Sequence, residues 1–119
     1  MRLVVTSQGT NLQSPLDPRF GRAAYFVQLD TDTGNYSAVC NSVNANAPQG
    51  AGIQAGKKVV ELGAAVLITG HVGPKAFATL RAGNVAIYTG AAGTVADAVE
   101  DFKAGKLRCA GAADVEGHW

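Results

Sequence analysis

The chain has 119 residues, about the size of one ordinary domain, and its 47% hydrophobic and 16% charged residues suit a closed core and exclude a disordered chain. Ten Lys and Arg against nine Asp and Glu give a net charge of +1, without the basic excess on which duplex nucleic-acid binding rests. Apolar runs such as Ala64–Thr69 fall far short of the ~20 residues of a membrane span, so a cytoplasmic domain is expected.

Arg2–Thr6 is a β-branched run that reads as the first strand, and the polar stretch Ser7–Ser14 after it has loop composition. Ala24–Asp30 alternates, with Tyr25, Val27 and Leu29 on one face. Thr31–Asn35 supplies turn residues before Tyr36–Asn41, which completes a β-hairpin. Asn41–Gly52 is a second long loop, and Ala51–Leu62 reads as a helix closed by Gly63.

From Gly63 the chain echoes itself. Gly63-x6-Gly70-x2-Gly73 recurs twenty residues later as Gly83-x6-Gly90-x2-Gly93, with Thr69 and Thr89 in register. Each copy holds a glycine past a helix end, a buried strand (Ala65–Thr69, then Val85–Thr89) and a Gly-x2-Gly turn into the next helix. Pro74 suits a first helical position. Thr94 with Asp97 resembles a capping box before the stripe Val95, Ala98, Val99 and Phe102, and that helix closes at Gly105.

The order β-β-β-α-β-α-β-α predicts an α/β fold of three layers, with a mixed sheet of about five strands and a topology closer to ribonuclease H than to flavodoxin. Residues 1–107 form the expected domain. Residues 108–119 lack periodicity and are expected as a C-terminal tail.

Loops that leave parallel strands gather at one sheet edge, where such folds bind ligands. Gly50 and Gly52, Gly70 and Gly73, and Gly90 and Gly93 lie in three segments that each open a helix, and unpaired first-turn amides favour anions. Arg19 and Arg22, within Asp17–Arg22, add forked donors, and Lys75 adds a third cation. His71, just before a helix start, can donate to an anion, ligate a metal or serve only as a loop residue. Cys40 and Cys109 lie far apart without CxxC spacing, so a disulfide framework and a thiolate-only metal site are not expected. No catalytic residue is assigned. The first strand lacks the acid that a ribonuclease H-type nuclease needs, and no nucleophile elbow or phosphate-loop lysine is present.

Asp17-Pro18-Arg19-Phe20-Gly21-Arg22 with Tyr25-Phe26, then Gly50–Ala55, then Thr69–Phe77, then Tyr88-Thr89-Gly90, resemble in their order the nitrogenase iron-molybdenum cofactor biosynthesis family. The resemblance covers roughly residues 1–107. It implies a ribonuclease H-like domain that binds, stores or hands over metal-sulfur clusters and is not an enzyme. Within the family the chain is most similar to a stand-alone member associated with a molybdenum-copper sulfide cluster held without covalent attachment. The resemblance maps Arg19, Arg22 and the glycine blocks onto the cluster site, while His71 replaces an asparagine common in relatives, which leaves its contact with the ligand open. It also links such members to protein complexes associated with cell division. An enzyme or regulatory module that binds a small phosphorylated ligand, or a partner protein, at the same edge is the alternative reading.

Overall fold

The apolar run at the N-terminus does not alternate because both of its faces are covered: Leu3 and Val5 belong to one core cluster and Val4 to another. The computed structural model describes residues 1–42 and 50–111. In chain order these form β1 (Arg2–Ser7), β2 (Tyr25–Asp30), β3 (Tyr36–Cys40), α1 (Ala51–Glu61), β4 (Val66–Ile68), α2 (Pro74–Ala82), β5 (Ala86–Thr89), α3 (Val95–Lys103) and β6 (Arg108–Cys109). The strands make one mixed sheet in the order β3-β2-β1-β4-β5-β6. β1, β4 and β5 are parallel, whereas β2 is antiparallel to β1 and β3, and β6 to β5.

The two clusters define three layers. Ala55 and Val59 of α1 and Ala76 and Leu80 of α2 cover Val4, Phe26, Leu67 and Ile87 on one side. Val95, Ala98 and Val99 of α3 cover Leu3, Val5, Val27 and Ile68 on the other. α1 and α2 touch through small residues, since a Cβ built on Gly52 would lie 3.2 Å from Ala76 Cβ and one on Gly56 would lie 3.1 Å from Thr79 Cγ2. None of the described helices is long and apolar enough to cross a membrane.

The hairpin, the two α/β units and the capped last helix follow the sequence pattern. Two features differ. β2 is buried on both faces, because Phe20 from the preceding loop stacks on Phe26 with ring centroids 5.8 Å apart. The sheet has six strands rather than about five: Arg108 and Cys109, assigned to the tail, pair with Thr89 and Tyr88. Ala110 pins that strand by its buried side chain and by donating its N–H to Ile87 O at 2.7 Å. A strand of two exposed residues has no hydrophobic period to read. Residues 43–49 of the second loop and 112–119 of the expected tail lie outside the described residues.

Gly70 marks the tightest approach between the loop after β1 and the sheet. A Cβ there would lie 2.7 Å from both Pro18 Cα and Pro18 O and 2.8 Å from Pro18 Cβ, so the contact is with backbone and a rigid ring and offers no flexible side chain to move aside. Gly70→Ala is therefore expected to lose roughly 1–3 kcal/mol, the usual cost of overpacking. Urea unfolding reads this as a lower midpoint, and an unchanged midpoint would show that the loop is not held there.

Candidate functional site

The parallel strands end at Ser7, Ile68 and Thr89, and the long loop after β1 returns to that edge. Asp17 N donates to Thr6 O at 3.0 Å, and Thr6 Oγ1 donates to Asp17 O at 2.6 Å. The Thr6 and Thr69 hydroxyls are hydrogen-bonded to each other at 2.9 Å. Both threonines are fully buried, so these bonds remove the penalty that bare hydroxyls would carry. Two rungs further, His71 N donates to Pro18 O at 2.8 Å and Phe20 N to His71 O at 3.2 Å, which sets Arg19 and His71 side by side in a parallel bridge.

Arg19 comes already paired. Its Nε lies 3.7 Å from Asp17 Oδ1, which also accepts the Arg19 N–H at 3.1 Å. Asp17 is buried while about half of the Arg19 side chain (52%) is exposed. The carboxylate thus holds the inner end of the guanidinium and leaves its outer end accessible. Arg22 is partly buried on the same loop, and Lys75 is exposed on the first turn of α2.

The three helix N-termini differ in what they have left to offer. Before α3, Thr94 and Asp97 form the expected capping box, with Asp97 N to Thr94 Oγ1 and Thr94 N to Asp97 Oδ2 both at 3.1 Å. The β1–β2 loop takes the rest: Val95 N donates to Ser14 O and Ala96 N to Leu12 O, each at 2.9 Å. Gly93 belongs to this cap, since it sits at φ +83, a Cβ on it would lie 2.6 Å from Asp97 Oδ2, and its carbonyl accepts from Leu16 N at 2.9 Å. That N-terminus is closed, which corrects the expectation that it presents donors alongside the others. α1, behind Gly50 at φ +74, and α2, behind Gly73, have neither a side-chain cap nor an acidic residue in the first turn. Their first-turn N–H groups, which a helix cannot satisfy internally, lie on adjacent helices that touch at Gly52 and Ala76.

Where β4 and β5 end lies a cleft of about 390 Å³. Gly70, His71, Thr89 and Gly90 form one wall, with Gly90 N donating to Gly70 O at 2.9 Å, and residues 108–111 form the other. Among the described residues, no group of three or more His, Cys, Asp and Glu is placed to hold a metal ion.

The model of the dinitrogenase iron-molybdenum cofactor family matches residues 1–105. The chain belongs to this family. It is similar to the orange protein of Desulfovibrio gigas, solved in its apo form, at 40% identity, 96% coverage of each chain and a TM-score of 0.93. A Thermotoga protein solved by NMR and described as NifB, of the DUF35 family, is 37% identical over 98% of each chain with a TM-score of 0.84. A dinitrogenase-type protein of Methanocaldococcus jannaschii shares the fold alone, at 13% identity and a TM-score of 0.67 over 94% of this chain and 96% of that one. No curated protein matches the chain.

Within this member of the cofactor family, the edge brings together Arg19 with His71, Gly70 with Gly90, and the Gly50–Gly52 turn with the Gly73–Lys75 turn. Arg108, which lines the cleft, is not among the residues that the sequence singles out. A weak signal was present: Leu107 and Ala110 are apolar residues on either side of Arg108 and Cys109, just past the end of a helix. Cys40 ends β3 at the far margin of the same sheet edge. The Ser42 hydroxyl, 3.1 Å from its sulfur, and a backbone hydrogen bond from Ser42 hold its thiol below the ordinary pKa.

Thr94→Ala should cost about 1 kcal/mol, the usual loss for an N-cap. Because this N-terminus is closed, the variant should show a lower unfolding midpoint and unchanged anion uptake. Loss of uptake at constant stability would place α3 back in the site.

Proposed function

We propose that this protein binds, stores or transfers a metal-sulfide cluster, a molybdenum-copper sulfide, without catalysing a reaction. The fold we read as ribonuclease H-like, with a hairpin antiparallel to β1 followed by two parallel α/β units. The observation that carries the functional reading is the contrast between helix ends: α3 is fully capped, while the touching ends of α1 and α2 have, among the described residues, no side-chain cap and no acid in the first turn. An anionic cargo makes sense of that difference, because partial positive charge at two adjacent helix starts adds to the charge of Arg19, Arg22 and Lys75. A cluster whose copper is bridged by sulfide brings its own soft ligands. It therefore needs donors and charge from the protein, not a thiolate cage, and the described residues supply no such cage. His71, bridged to Arg19 through the main chain and lining the cleft, is our candidate donor to the cluster's edge.

The test is to mix the metal-free protein with tetrathiomolybdate and copper, pass it through gel filtration, and record the visible spectrum with elemental analysis. Molybdenum, copper and colour should coelute with the protein. Colourless, metal-free protein that instead binds inorganic phosphate would overturn the reading in favour of a phosphorylated ligand.

Arg19→Ala combined with Arg22→Ala should release the cluster about tenfold faster, a change of ~1.4 kcal/mol, and added salt should accelerate release from the parent. The unfolding midpoint of the metal-free variant should fall as well, since Arg19→Ala removes the guanidinium beside the buried Asp17 carboxylate, so release is compared well below both midpoints. Equal retention across a salt series would remove the arginine loop from the site. Cys40→Ser with Cys109→Ser should leave uptake largely intact, measured as the molybdenum-to-protein ratio. Loss of uptake would show direct thiolate coordination.

A further inference from the structure

We propose that the cleft under β6 is a second anion subsite in which Arg108 grips a face of the cargo that the α1 and α2 ends do not reach, an inference that rests on the cluster-binding reading. Register places Arg108 opposite Thr89 and Cys109 opposite Tyr88. Residues directly opposite in an antiparallel pair share a face of the sheet. Tyr88 packs toward α3, against Phe102 at 4.9 Å between ring centroids, so Cys109 is on the α3 side. Arg108 is then on the α1 and α2 side, with buried Ala110 two residues on.

Among the described residues, the lining of the cleft contains Arg108 and His71 and no carboxylate. Arg108 is exposed and makes no ion pair among the described residues, unlike Arg19, whose guanidinium is already held by Asp17. At Gly90 the backbone has φ +81, and a Cβ there would meet nothing within 4 Å, so the wall facing Arg108 is open. A depression of about 380 Å³ at the opposite end of the sheet differs in its charge. There Asp30 shares the lining with Arg2, and Arg2 Nη1 is spent on Leu62 O at 2.6 Å. The β6 cleft also continues the proposed site, because Gly70 and His71 line it and His71 is bridged to Arg19. The family match ends at residue 105, before β6 begins at Arg108.

Arg108→Ala, Arg108→Lys and Arg108→Glu in the full chain test the inference with two probes. Loaded with tetrathiomolybdate and copper, the Ala variant should release the cluster about tenfold faster than the parent. Lys should recover part of the retention, and Glu should release fastest. All three should keep the parental unfolding midpoint, because the side chain is exposed. In parallel, titration of the metal-free parent with inorganic molybdate should shift the NMR amide signals of Gly90 and Gly111, and Arg108→Glu should abolish those shifts. Parental release rates in the Ala and Glu variants would overturn the subsite and leave cluster binding standing. Molybdate shifts in a parent that takes up no cluster would overturn cluster binding and leave the anion subsite standing. No shifts and no cluster would overturn both.

Discussion

The approach of Pro18 to Gly70 is the contact on which the functional edge depends. The long loop after β1 must return to the parallel strand ends, and it does so by adding Asp17 to Thr6 and Pro18 to His71 through main-chain hydrogen bonds. Those bonds form at their observed length only if residue 70 has no Cβ. The same docking sets Arg19 against His71, buries Phe20 on Phe26, and carries Leu12, Ser14 and Leu16 across to the start of α3. A single close approach thus organises the cation loop, part of the core and one helix cap.

Because the loop carbonyls satisfy α3, the three glycine turns are chemically unequal. Identical sequence grammar, Gly-x2-Gly before a helix, yields one open end at α2 and one closed end at α3. What separates them is the company each keeps. Thr94 and Asp97 cap from within, and residues 12–16 cap from outside, whereas α1 and α2 face each other across Gly52 and Ala76 with no acid in either first turn. An anion near α1 and α2 therefore meets donors that nothing in the described chain has already used.

The two cysteines sit at opposite margins of the sheet, Cys40 on β3 and Cys109 on β6. Five strand spacings of ~4.8 Å put them ~24 Å apart, well beyond what a disulfide within one chain can bridge. They also cannot converge on one metal ion. This is consistent with a cargo that carries its own sulfur, and it leaves charge and amide donors as the protein's contribution.

Local sequence determined the elements wherever one residue type has one physical use: Pro74 at a helix start, Thr94 with Asp97 as a capping box, glycine past each helix end, and apolar runs where both sheet faces are covered. It also identified the family, and it picked out the segments of the proposed edge, because those segments are continuous in the chain. Tertiary structure alone decided which donors stay open, since Val95 and Ala96 are satisfied by carbonyls about eighty residues earlier in sequence. It decided that Asp17 holds Arg19, that Gly93 serves a cap, and that Gly52 serves helix contact as well as its turn. It also decided that Arg108 faces the cleft. A two-residue strand has no period of its own, and its place comes from the ladder to β5 and the burial of Ala110, both of which exist only once the sheet has formed.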